Sequence, residues 1–210
     1  MKDVFVVAHT QSQHHVDGLV GGWYDTSLTE LGRAQAARVA TRLGELIDKA
    51  RPLELYASDL KRAAETAEVI GAAFGADVVR LSGLRELSLG SAGGKPQAWL
   101  RARQTPWPRE HGRLDHREGV EDAETQREFI TRIYRAMDQI VASASPTQII
   151  VTHGYAMTFV IAAWIRMPLE AASYLSFKST SGGITHLHED DTFFNRAVIS
   201  LNETAHLAGA

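Results

Sequence analysis

The chain has 210 residues, with 22 basic and 25 acidic side chains, nine histidines and no cysteine. A net charge of −3 leaves no bulk basic footprint for a nucleic acid or an anionic membrane, and the missing thiols exclude disulfides, thiolate metal sites and cysteine nucleophiles. The length suits a single domain spanning 1–210 with room for a substantial core. No apolar run approaches the ~20 residues of a membrane span, and the amino terminus lacks an apolar leader region, so the expectation is a cytoplasmic protein with no membrane partner.

In chain order, Val4-Phe5-Val6-Val7 reads as a strand buried on both faces, and Ala8-His9-Thr10-Gln11-Ser12 emerges at its carboxyl end. The glycine-containing stretch 13–27 reads as a loop over the sheet. Ser27-Leu28-Thr29-Glu30 fits a capping box, and Ala36, Val39, Ala40, Leu43 and Ile47 then follow at helical spacing. Leu53 to Ala57 is a second strand. Ser58-Asp59 is expected to cap the next helix, with its apolar stripe Leu60, Ala63, Ala64, Ala67 and Ile70, and Gly75 as its stop.

A third strand is expected over 77–81, leading to Leu84-Arg85-Glu86-Leu87 and a second glycine-containing loop, 90–94. Residues 95–118, with two tryptophans and three prolines, read as an irregular insertion holding a short helix and acting as a lid or wall. Helical spacing returns in Phe129, Ile133, Met137 and Ile140. Gln148 to Val151 is a fourth strand, ending in Thr152-His153-Gly154 and an apolar helix over 155–165; 184–188 and 197–201 close the fold as strands. Strands alternating with helices predict an α/β three-layer sandwich, a mostly parallel central sheet with helices on both faces.

In such a sheet, ligands bind beyond the carboxyl ends of the strands. His9 follows strand one, Arg62 opens the helix after strand two, Glu86 follows strand three and His153 ends strand four. Two imidazoles, a guanidinium and a carboxyl at one sheet edge, beside a helix N-terminus, suit a phosphoryl group: cation and helix dipole hold the anion, and an imidazole attacks it. His14 and His15, close to His9 in the chain, are substrate-contact candidates. Nine histidines also permit zinc ligation by His9, His15 and His153, but their spacing fits none of the compact zinc signatures, and no metal is expected there. His186 and His188, two apart on one strand face, receive no role.

Val7-Ala8-His9-Thr10-Gln11-Ser12, Trp23-x-Asp25-x-x-Leu28-Thr29-x-x-Gly32-x-x-Gln35-Ala36, Ser58-Asp59-Leu60-x-Arg62-Ala63-x-x-Thr66-Ala67, Leu84-x-Glu86-Leu87-x-x-Gly90 and Val151-Thr152-His153-Gly154 together resemble the motif series of the histidine phosphatase (phosphoglycerate-mutase-like) superfamily. The tail Leu201-Asn202-x-Thr204-x-His206-Leu207 is similar too. The resemblance implies metal-independent and cofactor-free hydrolysis of a small phosphomonoester. His9 would be the nucleophile that becomes a phosphohistidine, Glu86 the general acid and base, and His153 a stabiliser of the equatorial oxygens. Arg62 would bind the phosphate, with Ser12, His15, Gly22, Arg85 and Gly154 as further substrate contacts. A homodimer is a family-level expectation.

The chain departs from that pattern where the phosphate is gripped. The resemblance places the family's first arginine at Ala8 and its glycine at Thr10; His15 stands for an asparagine, Gly21 for a glutamine and Gly93 for a glutamate. A lost charge-assisted contact is worth roughly 1.5–3 kcal/mol in binding, or on the order of 10²–10³ in rate if it acts in the transition state. Arg85, His14 or His15 could replace the cation. The alternatives are a catalytically impaired relative, natural or engineered, that only binds a ligand, and a phosphoglycerate-mutase-type phosphotransferase, for which Arg101, Arg103, Arg109 and Arg113 would supply a second anchor.

Overall fold

The computed structural model describes residues 1–48 and 50–208. Strand β1 (Lys2–Ala8) is followed by a single helical turn, α1 (Gln13–Val16), and then by α2 (Glu30–Leu46), β2 (Leu53–Ala57), α3 (Lys61–Phe74) and β3 (Val78–Arg80). A short α4 (Gln97–Arg101) precedes α5 (Gln126–Ala142), β4 (Thr147–Thr152), α6 (Gly154–Trp164), α7 (Leu169–Ala172), β5 (Ile184–Glu189) and β6 (Arg196–Glu203). One six-stranded sheet runs in the order β3-β2-β4-β1-β5-β6. The first four of those strands are mutually parallel, and β5 and β6 close the sheet antiparallel. The expected α/β sandwich is therefore the observed one.

Side-chain alternation along the buried strands divides the core into two layers. Val4, Val6 and Ile150 pack with Phe129, Ile133 and Met137 of α5 and Phe159 of α6. Phe5, Val7, Ile149 and Val151 point the other way, onto Val39 and Leu43 of α2 and Ala67 and Ile70 of α3. Helix α6 is apolar on all sides because it is enclosed: Met157, Phe159, Val160, Ile161 and Trp164 are all fully buried. Among the described residues, no helix is long and apolar enough to cross a membrane.

The helix starts differ from the sequence expectation. Thr29, not Ser27, caps α2 and accepts from the Gly32 amide at 3.0 Å. Leu60 is the N-cap of α3 and has no polar side chain to cap with, while Ser58 Oγ accepts from the Leu60 amide at 3.3 Å and meets His153. Thr125 forms the capping box of α5, which starts at Gln126, whereas the sequence spacing suggests a helix from Glu121. The stretch 13–27 contains the turn α1 rather than being loop throughout. Gly75, at φ +64°, stops α3 as expected.

The 95–118 segment is anchored rather than free. Leu100 of α4 packs with Val20, Ala92, Val120 and Ala123 in a separate small core, and the Val20 amide donates to the Lys95 carbonyl. The segment thus clamps the loop that carries Gly21 and Gly22.

Candidate active site

The carboxyl ends of the parallel strands deliver the side chains. β1 hands the chain to His9, whose amide donates to the Thr152 carbonyl at the end of β4. β4 itself hands over to His153. The two rings meet edge to face with centroids 5.1 Å apart. Both are almost wholly buried, at 6% and 0% exposure.

The hydrogen bonds of His9 fix its tautomer. Nδ1 lies 2.8 Å from the Thr10 carbonyl oxygen, which can only accept, so Nδ1 carries the proton and Nε2 keeps its lone pair. Arg62 Nε donates to that lone pair across 3.2 Å. Burial, and after it the Arg62 charge, hold the His9 pKa well below its ordinary value, so the ring is neutral at pH 7. The same two causes, in the same order, keep His153 neutral.

Arg62 is itself 1% exposed, in the first turn of α3. Its Nη1 donates to the Tyr24 carbonyl and its Nη2 to that of Gly22. Gly22 sits at φ +54°, a conformation that glycine adopts without the steric cost of a Cβ, and it turns the loop there. The loop in turn rests on the second glycine-containing segment, because a Cβ at Gly22 would come 3.0 Å from the Leu87 carbonyl oxygen.

Glu86 lies on the connection from β3 to the core. Its Oε1 accepts from the Leu87 amide at 2.9 Å, and its Oε2 from the Tyr155 amide, in the first turn of α6, at 3.0 Å. Burial raises its pKa, against the opposing pull of those two amides and of Arg62 and Arg132. A carboxyl so placed holds a proton to higher pH than a free one and still has amides to receive the charge once it is lost.

Several expected contacts fall into place and others do not. His15 stacks on His9 at 5.4 Å between centroids, and His14 lies 6.2 Å from His9, so the α1 turn adds two imidazoles to the pair. Burial, then the charge of His15, lowers His14 to about 3, and burial followed by Arg62 lowers His15. Ser12 is fully buried, but its hydroxyl faces His14 Nδ1 at 3.0 Å rather than His9. Gly154 opens α6 directly after His153. Arg85 does not join the cluster: it makes a two-pronged ion pair with Asp59 at 2.7 and 2.6 Å and stacks over Trp23. Its charge is thus paired with Asp59 in this structure.

Ser58 and Thr66 stand in the motif series but received no site role from the sequence. Ser58 Oγ lies 2.8 Å from His153 Nε2, while His153 Nδ1 is buried without a partner among the described residues. Thr66 Oγ1 receives the Thr10 amide, which ties α3 to the turn after His9. The signal for Ser58 was available: it leaves β2 at the same edge as His9 and His153, but it also fits a helix cap.

The family model described as Histidine phosphatase superfamily (branch 1) matches residues 4–199. The chain belongs to that superfamily. One relative, a probable phosphoglycerate mutase GpmB of Shigella boydii, is 30% identical over 186 residues, covering 86% of this chain and 83% of the relative. Among solved structures, a mycobacterial glucosyl-3-phosphoglycerate phosphatase in complex with VO3 superposes at TM-score 0.76 and 23% identity, over 97% of this chain and 100% of its own. An Escherichia coli protein described as a putative alpha-ribazole-5'-P phosphatase gives TM-score 0.73 and 22% identity, over 96% of both chains. At those identities the two structures speak for the fold alone.

Proposed function

We propose that the protein is a phosphomonoester hydrolase that works through a phosphohistidine on His9, with no metal in that step and with phosphate recognition altered at Ala8. The observation that carries the reading is the state of His9: neutral, its Nδ1 proton committed to a backbone carbonyl, its Nε2 lone pair facing a buried guanidinium and its ring against that of a second neutral histidine. A lone pair prepared in this way is a nucleophile, and its surroundings favour an anion over a cation.

In the first half-reaction, Nε2 of His9 attacks phosphorus, the phosphorus–oxygen bond to the alcohol breaks, and the protonated Glu86 gives its proton to the leaving oxygen. A phosphoryl oxygen takes the place of His9 as acceptor from Arg62 Nε. The unpartnered Nδ1 of His153 is available to a second phosphoryl oxygen. In the second half-reaction, the Glu86 carboxylate takes a proton from water, the water oxygen attacks phosphorus and the phosphorus–nitrogen bond breaks. Inorganic phosphate leaves, and both residues return to their starting states.

Ala8, 3% exposed at the end of β1, supplies no charge to this pocket. His15 and His14, with ring centroids 5.4 and 6.2 Å from that of His9, are further imidazoles that can take up a proton when a dianion arrives. The substrate is accordingly a small phosphomonoester whose alcohol half carries part of the recognition. A phosphotransferase reading would need a second basic anchor; in the 95–118 segment Arg103 lies over Trp99 and Arg113 over Trp107 and Tyr174, which leaves Arg101 and Arg109 for that role.

The test is turnover of a panel of phosphomonoesters by the natural chain, Ala8→Arg and His9→Ala. The expected result is slow hydrolysis by the natural chain, a gain of about 10²-fold or more in kcat/KM for Ala8→Arg, and none for His9→Ala. Tight binding with no turnover by either of the first two contradicts the enzyme reading and favours a binding-only protein.

A further inference from the structure

At the opposite end of β1 from His9 lies a second cluster of polar side chains. Asp3 Oδ1 is 2.9 Å from His186 Nε2 and 2.8 Å from His188 Nδ1. Six residues of strand at about 3.3 Å each separate Asp3 from His9 by about 20 Å, so this cluster takes no part in the chemistry above. We propose that Asp3, His186 and His188 form a binding site for a divalent transition-metal ion of the zinc type.

The argument begins in the strand register. Asp3 sits directly opposite His188, and Phe5 directly opposite His186, across the antiparallel pair β1 and β5. Residues two apart share a face of a strand, so Asp3, Phe5, His186 and His188 all project to one side, while Leu187 between the histidines points into the opposite core layer. The pairing of β5 with β6 shifts register on both sides of His186. Such irregularities re-aim a side chain.

Each residue offers one donor atom, and the three donors lie within 4.8 Å of one another. Tetrahedral ligands at about 2.0–2.1 Å from zinc are separated by about 3.3 Å, so an ion would need the two short contacts to open by only a few tenths of an ångström. Two imidazoles and one carboxylate suit zinc and its first-row neighbours, not calcium or magnesium. The ligands are also held in place. The Phe5 ring stacks on His186 at 4.4 Å and 10°, and Arg51 Nη1 donates to Asp3 Oδ2 at 2.9 Å, leaving Oδ1 for the ion. Supports of this kind orient ligands in metal sites. Side-chain exposures of 14–26% leave one side open for water to complete the shell.

Binding has a definite proton requirement. Where Asp3 Oδ1 accepts from both rings, each histidine carries its proton on the nitrogen that faces it. The ion needs lone pairs on those nitrogens, so each ring must carry its proton on its far nitrogen instead.

The test is equilibrium dialysis of zinc against the tag-free, chelator-treated full chain, with imidazole nitrogen NMR spectra of the wild type. The expected result is one equivalent bound, with zinc-dependent shifts at His186 and His188. His186→Gln and His188→Gln should each weaken binding by about tenfold or more, and His9→Ala should leave it unchanged. No saturable binding, shifts confined to His9, His14, His15 or His153, or unchanged affinity in both glutamine variants would overturn the proposal. The wild-type spectra decide the matter should either variant fail to fold.

Discussion

Arg62 donates its Nε proton to the Nε2 lone pair of His9 across 3.2 Å, while its two terminal nitrogens hold the carbonyls of Tyr24 and Gly22. One guanidinium therefore adds to burial in keeping the proposed nucleophile neutral, occupies its lone pair, and braces the loop over it. Replacing Arg62 by methionine removes the second-largest cause of the low His9 pKa and leaves the largest, burial. The His9 pKa should rise part of the way toward its ordinary value, as followed by imidazole NMR, and kcat/KM should fall by about 10²–10³. An unmoved pKa would show that the 3.2 Å contact does not form in solution.

In the proposed mechanism, Glu86 and His9 set the two limbs of the pH profile. His9 must be neutral, and its pKa is lowered, so activity falls only as pH drops well below the ordinary histidine value. Glu86 must begin protonated, and its pKa is raised, so activity falls as pH rises through that raised value. Glu86→Gln should remove the alkaline limb. It should cost about 10²–10⁴ in kcat for esters of poor leaving groups and far less for an aryl ester, whose leaving oxygen needs no proton. An equal loss on both substrate types would contradict the general-acid role.

Ser58 orients His153 through the 2.8 Å contact between Oγ and Nε2. Ser58→Ala strands a buried ring nitrogen, which costs about 1–3 kcal/mol of stability, and frees the ring to turn. We expect kcat to drop about tenfold or more, as for other residues that orient an active group, while KM changes little. Denaturant unfolding and steady-state kinetics on the same preparation check both effects.

Buried neutral histidines also make folding depend on pH. His9 and His153 stay unprotonated in the native state and titrate near 6.5 once unfolded, and His14 behaves likewise with its value of about 3. Below about pH 6.5 the unfolded chain binds more protons than the native one, so stability is full above that pH and declines as pH falls. Glu86 has the opposite sign: its raised pKa contributes stability that is lost as pH rises through it. The thermal midpoint should decline from pH 6.5 toward pH 5, and His14→Asn should flatten that decline.

The strands and their order of hand-over were legible in the sequence because β1 and β4 are built on short apolar runs bounded by polar residues and β2 is a short stretch of mostly apolar residues between two helical patterns. The edge location of His9, Arg62, Glu86 and His153 followed from the parallel arrangement alone. The helix starts were harder, since Ser27, Thr29, Ser58 and Thr125 all belong to residue types that cap, and only the three-dimensional path of the amide decides which one does. The pairing of Arg85 was hidden for a related reason. Its neighbour in space, Asp59, is 26 residues away in the chain, so nothing local showed that its charge was already matched. The Asp3, His186 and His188 cluster was illegible because it depends on the register of two strands more than 180 residues apart in the chain.

The claim that His9 carries the phosphoryl group is tested most directly by rapid quench of the enzyme with a phosphorus-labelled monoester, followed by peptide mapping under alkaline conditions. The account predicts an acid-labile, base-stable label on Nε2 of His9, absent from His9→Ala and longer-lived in Glu86→Gln. Hydrolysis that proceeds at full rate with no label on His9, or with the label on another residue, would contradict it.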